Sequence, residues 1–83
     1  MDQVDGQQTV LVAGATGYVG QRLVAELLDR QRYTVRALVR KPGKLAAARE
    51  GACEEVVGDV LDAASLAAAC HGCHAVVSCV GGR

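Results

Sequence analysis

The chain has no Trp and no Phe, only two Tyr, one Pro and one Met, and its charges cancel, with nine Lys and Arg against nine Asp and Glu. Without large rings the core must be built mainly from Val, Leu and Ala, which suits helices packed closely on a sheet. With 51% apolar residues, disorder is excluded as well. Zero net charge means that no global field draws the chain to nucleic acid or a membrane, so any function that uses charge must be local. No apolar run approaches the roughly 18–20 residues that span a bilayer. The polar start, residues 1–8, lacks the basic and apolar regions of a secretory signal. These absences predict a soluble, cytoplasmic protein, or an organellar one if the true amino terminus lies upstream. Its four cysteines, Cys53, Cys70, Cys73 and Cys79, are then expected as reduced thiols.

What is present is one alternating pattern, and 83 residues allow a single small core. Residues 9–13, TVLVA, read as a strand buried on both faces. From Tyr18 to about Arg32 the period changes to that of an amphipathic helix, with Val19, Leu23 and Leu27 and then Val24 and Leu28 at i, i+4 spacing. Residues 34–39, TVRALV, are a second strand, broken by Pro42 and Gly43, and residues 44–50 are a short alanine-rich helix. Residues 55–57 make a brief third strand; Asp62 then caps a helix running through Ser65, Leu66 and Ala69. Residues 74–80, HAVVSCV, make a fourth strand. Strands joined through helices run parallel, so the expectation is an α/β, doubly wound parallel sheet, β-α-β-α-β-α-β.

Between the first strand and the first helix lie Gly14, Gly17 and Gly20 on a three-residue beat. In a parallel sheet this turn stands at the carboxyl edge, where unpaired N–H groups and the positive end of the helix dipole can hold a phosphate. Gly14 permits the tight turn, Gly17 removes a side chain that would keep a pyrophosphate off the backbone, and Gly20 lets helix and strand lie close. At the end of the second strand, an acidic side chain would favour the 2′-hydroxyl of NAD. Arg40 stands there instead, followed by Lys41, with Lys44 near, which predicts NADP(H) in preference to NAD(H). A solvated basic turn is the plainer alternative.

GATGYVG, residues 14–20, resembles the GxxGxxG signature of the extended and atypical short-chain dehydrogenase/reductases, particularly the NmrA-like and isoflavone-reductase-like branch. LVRKP at 38–42, GDV at 58–60 and AVVSCVGG at 75–82 extend the resemblance. It implies a dinucleotide held by Gly14, Thr16, Gly17, Tyr18, Val19 and Gly20, by Arg40 and Lys41, by Asp59 and Val60 beside the adenine, and by Val80 and Gly81 near the ribose. Asp59 reads equally well as a turn residue that satisfies loop N–H groups. The superfamily's Y-x-x-x-K pair is missing, since Arg22 follows Tyr18 and Ala37 follows Tyr33 at that spacing, so no catalytic residue is assigned. The resemblance implies a Rossmann-type sheet in strand order 3-2-1-4, and residues 1–83 are expected to be the amino-terminal, NAD(P)-binding part of such a protein, without its substrate-binding part.

Two functions follow from the resemblance: the cofactor-binding portion of an oxidoreductase acting on an unknown small molecule, or a regulatory module that senses NADP(H) without turnover. A methyltransferase is disfavoured by Arg40, which stands where an acid would bind the ribose. Beyond the dinucleotide and that small molecule, the expected partners exclude nucleic acid and membrane and include a second copy of the chain, through the edge of the fourth strand. Cys70-His71-Gly72-Cys73-His74 matches the C-x-x-C-H pattern of haem attachment. No export signal and no Met beyond Met1 support haem, and one cluster falls short of the four ligands of structural zinc. The segment is expected to be an unmetallated turn.

Overall fold

A computed structural model describes residues 8–79. In it β1 (Gln8–Ala13), α1 (Tyr18–Asp29), β2 (Tyr33–Val39), α2 (Ala46–Arg49), β3 (Glu54–Val57), α3 (Ala63–Cys70) and β4 (Ala75–Ser78) follow one another. The four strands form one sheet, parallel as the alternation of elements requires, in the order β3-β2-β1-β4. β1 pairs on both edges, Val10 facing Val35 on one side and Ala75 on the other.

Alternate residues of the central strands feed two separate cores. Val10, Val12, Val35, Ala37 and Val39 pack with Ala15, Val24 and Leu45 on the face covered by α1 and α2. Leu11, Ala13 and Leu38 pack with Ala69 of α3 on the other face. Leu11 and Val12 are both fully buried, so β1 is apolar on both faces. Burying such side chains is worth roughly 1.5–3 kcal/mol each, and Ala at 13, 15, 37 and 69 lets the layers approach. Tyr33 is half-buried against the first core.

Several boundaries differ from the sequence pattern. α1 stops at Asp29 rather than near Arg32, because the Arg30 and Gln31 N–H groups turn back to the carbonyls of Glu26 and Leu28 and Gln31 takes φ 58°. Val19 stays 63% exposed despite its place on the apolar stripe, since the first turn of α1 stands at the rim of the sheet. The alanine-rich stretch yields only the single turn of α2, closed by Gly51 at φ +79°. β4 is shorter than residues 74–80: His74 precedes it as a bend, and Val80, like Gly81 and Gly82, lies outside the described residues. Asp62 caps α3 as expected, its carboxylate accepting from the N–H groups of Ala64 at 3.0 Å and Ser65 at 3.4 Å. No helix among the described residues is long and apolar enough to cross a membrane.

Candidate nucleotide-binding site

The carboxyl ends of β1, β2 and β3 open onto a cleft of about 380 Å³. Its floor is the turn from β1 into α1. Gly14 takes φ +77°, and the Gly17 N–H donates to the Gly14 carbonyl at 3.1 Å, which closes the turn. Gly17 is the N-cap of α1 and brings no side-chain cap; the first turn carries no acidic residue. The leading N–H groups of a helix have no partner within it, so an anion at this end meets donors and a favourable dipole with no competing carboxylate. Gln21 braces the turn from behind, its Nε2 donating to the Thr16 carbonyl at 2.7 Å.

The glycines at 17 and 20 differ in what requires them. A Cβ on Gly20 would overlap the Gly14 carbonyl oxygen and stand 2.8 Å from Gly14 C and 2.9 Å from Ala15 Cα. A Cβ on Gly17 would meet only the Gly14 oxygen, at an ordinary 3.5 Å, and Gly17 lines the cleft. Gly20 is therefore demanded by the fold, whereas at Gly17 the fold leaves space that a ligand can use. The donors, the dipole and this open space together fit a pyrophosphate.

The other walls come from the ends of β2 and β3. Leu38 and Val39 lead into exposed Arg40, and across from them stand Gly58, Asp59, Val60 and Leu61. Gly58 is held by its N–H to the Val39 carbonyl at 2.8 Å; a Cβ there would press on Leu38 Cδ1 at 2.9 Å. Asp59 does act as a turn residue, with Oδ1 accepting from the Leu61 N–H at 2.9 Å while its own N–H donates to Ser65 Oγ at 3.0 Å. Val60 packs against the second core as well as lining the cleft. Beside the cleft, Thr16, Arg40, Lys41 and Lys44 surround a second recess of about 530 Å³. Thr16 and Arg40 border both, so the basic recess is continuous with the glycine turn.

Of the residues singled out from sequence, Gly14, Thr16, Gly17, Arg40, Asp59 and Val60 meet at the cleft, and Lys41 joins them at the basic recess. Tyr18 stands at the head of α1 with its ring 79% exposed and the Arg22 guanidinium 5.8 Å from the ring centre. Val80 and Gly81 lie outside the described residues. Sequence reasoning passed over Leu38, Val39, Gly58, Leu61 and Cys79 as lining residues. The signal available for them was position, at the carboxyl ends of parallel strands, where such sheets bind ligands. Cys79 reaches the cleft because its N–H donates to the Ala13 carbonyl at 2.8 Å, which carries the β1–β4 pairing up to the glycine turn.

At the opposite end of β4, the C-x-x-C-H segment is tied into the sheet. The Thr9 N–H donates to His74 Nδ1 at 3.0 Å, and the His74 N–H donates to the Thr9 carbonyl at 2.8 Å. The imidazole thus supplies the acceptor that a strand neighbour's carbonyl otherwise would. Among the described residues no group of three or more His, Cys, Asp and Glu side chains is placed to hold a metal ion.

Residues 14–83 match the model of a family described as NAD(P)H-binding. The chain is 43% identical over 79 residues to cinnamoyl-CoA reductase 2 of Medicago truncatula, which covers 86% of this chain and 23% of that protein. It is 47% identical over 77 residues to cinnamoyl-CoA reductase 1 of Oryza sativa subsp. japonica, covering 84% of this chain and 22% of that one. Among solved structures, the anaerobillin reductase ChuY of Escherichia coli O157:H7 superposes with a TM-score of 0.74 at 32% identity, over 90% of this chain and 38% of that chain. The chain thus spans less than a quarter of the length of these two curated relatives.

Proposed function

The chain belongs to the NAD(P)H-binding family and has the Rossmann-type sheet of the extended and atypical short-chain dehydrogenase/reductases, and from that membership we propose that it is the NADP(H)-binding portion of a small-molecule reductase. The observation that carries the choice of cofactor is the basic recess. At the end of β2, where a carboxylate would hold a ribose 2′-hydroxyl, Arg40, Lys41 and Lys44 surround a space that opens into the glycine-turn cleft. A 2′-phosphate placed there receives a forked guanidinium and added positive charge.

In this reading the N–H groups of the Gly14–Gly20 turn, including those of Tyr18 and Val19, hold the pyrophosphate. The adenine lies between Leu38 and Val60, with the second carboxylate oxygen of Asp59 free of the Leu61 bond and able to accept from the exocyclic amino group. When bound, the cofactor supplies the hydride; what this chain does is bind it, orient it and select its phosphate. The reductase names of the relatives support the reaction class, and the substrate is a small molecule recognised outside the nucleotide cleft. Exposed Val76 and Val77 on β4, the end strand of the sheet, support self-association through that edge, which size-exclusion chromatography reads directly.

The experiment is a fluorescence titration with NADPH and NADH. The wild type should bind NADPH the more tightly, and Arg40→Ala should erase most of the difference, about 1.5–3 kcal/mol or roughly 10- to 150-fold. Equal affinities in the wild type refute the NADP(H) assignment and leave the glycine-turn reading to be judged by whether either cofactor binds.

A further inference from the structure

The nucleotide-site reading leaves Cys70-His71-Gly72-Cys73 without a task. α3 ends at Cys70, His71 follows with φ −58° and ψ 123°, and Gly72 takes φ +79°. The Cys73 N–H then donates back to the Cys70 carbonyl at 2.9 Å. These angles and that bond describe a type II turn with the two cysteines at its outer corners, where Cα atoms lie within about 7 Å of each other. A disulfide needs Cα atoms roughly 4.4–6.8 Å apart. A Cβ on Gly72 would meet nothing within 4 Å, so the residue serves the turn by its φ and not by its size.

Both thiols are half-buried and pack on one cluster, Leu11, Ala13, Leu38 and Ala69. Cys53 and Cys79 pack instead against the core on the other face of the sheet. The fold therefore sorts the four cysteines, and only Cys70 and Cys73 share a face and a turn. Arg36 fixes that turn from β2: its Nη1 donates to the carbonyls of Ala69 at 2.8 Å and His71 at 2.7 Å, and to Cys73 Sγ at 3.3 Å. Its Nε is anchored on Glu54 Oε1 at 3.0 Å. Because the backbone around both cysteines is already ordered, joining them requires little further loss of freedom, the condition under which a second, intramolecular exchange outruns an intermolecular one.

We propose that Cys70 and Cys73 form a reversible dithiol/disulfide pair that exchanges with small disulfides of the glutathione class. The thiolate of one cysteine attacks a sulfur of glutathione disulfide, forming a mixed disulfide and expelling one glutathione thiolate. The other cysteine gives up its proton and attacks the protein sulfur of the mixed disulfide; the Cys70–Cys73 bond forms and the second glutathione leaves. The chain loses two hydrogens with their two electrons, and glutathione disulfide becomes two glutathione thiols. Excess glutathione reverses both steps. Closure takes away the hydrogen bond from Cys73 Sγ to the Ala69 carbonyl, 3.6 Å in the reduced turn, and leaves that carbonyl to Arg36.

The test equilibrates the full chain in a glutathione redox buffer, quenches it with acid and alkylating agent, and reads the mass of the intact chain and of its fragments. The expected product is lighter by two hydrogens, retains no glutathione, and maps to Cys70–Cys73. C70S and C73S should each retain one glutathione at the remaining cysteine, and C53S/C79S should close like the wild type. In concentrated urea, where the turn is lost, closure should be about tenfold less favourable. Glutathione retained at both Cys70 and Cys73 of the wild type, closure mapped to another pair, or equal closure in urea overturns the proposal, and none of these depends on a variant folding.

Discussion

Replacing Gly20 with Ala should damage the fold far more than the same methyl group added at Gly17. The new Cβ would collide with the Gly14 carbonyl oxygen and crowd Gly14 C and Ala15 Cα at 2.8 and 2.9 Å. All three atoms are backbone, so no side chain can swing aside, and α1 must back away from the turn. Backing away loosens the packing of Val24, 1% exposed beneath the helix, and a gap of half an ångström to an ångström forfeits a quarter to a half of each contact. Overpacking of this kind costs roughly 1–3 kcal/mol or more, against about 1 kcal/mol regained from the better helix propensity of Ala. Because every crowded atom is backbone, the upper end of that range applies, and a net loss of about 2 kcal/mol should lower the urea midpoint by roughly 2 M, taking about 1 kcal/mol per molar for so small a chain. Gly17→Ala is the control. Its Cβ meets an ordinary 3.5 Å contact at φ −76°, so it should cost only several tenths of a kcal/mol as a poorer N-cap, while weakening dinucleotide binding about tenfold or more. The reasoning fails if Gly20→Ala unfolds at the wild-type midpoint, or if Gly17→Ala destabilises as much.

Three further outcomes are expected. Asp62→Ala removes the acceptor for two N–H groups of α3 and should cost about 1 kcal/mol by urea denaturation, with Asp62→Asn keeping most of it. Arg36→Met keeps the apolar stem but leaves the Ala69 and His71 carbonyls without the guanidinium, and should cost about 2 kcal/mol, measured the same way. Burial, helped by the Glu55 carboxylate, pushes the Cys53 thiol above the ordinary range. The folded state therefore holds that proton more tightly than the unfolded one. The resulting stability is complete below the unfolded thiol's range and falls away as pH rises through the folded one, so Cys53→Ser should flatten the alkaline decline in the urea midpoint.

The glycine beat, the Asp62 cap and the doubly apolar β1 were legible in the sequence because each is decided within a few neighbouring residues. The parallel direction of the strands followed from alternation, whereas their order rested on the resemblance of the glycine turn and the segments after it. Arg36 was not legible. In TVRALV it reads as one charged residue in an apolar strand, and its partners come from β3, the end of α3 and the following turn, 18 to 37 positions away. The register that sets Arg36 against Glu54 makes sense of it only once β2 and β3 are known to be neighbours. The His74 imidazole, bonded to an N–H 65 positions earlier, escapes local reading for the same reason. At the cleft, Gly14, Gly17 and Arg40 were found through the chemistry they can offer. Leu38, Leu61 and Cys79 were missed because an apolar or thiol side chain announces a wall only when the wall has been built.

The central place of β1 also bears on how the chain is made. Made before either of its neighbours, β1 can pair with β2 once about 25 further residues have followed but waits for residues 75–78 before its other edge is covered. In that interval the central strand of the sheet is half-paired, and its open side can take up an extended apolar segment within reach. The two bonds between Thr9 and His74 fasten the start of β4 to that side, and His74 comes before the valines of β4 in chain order. A histidine that grips the far strand with its ring as well as its backbone is a suitable first clasp for so late a partner.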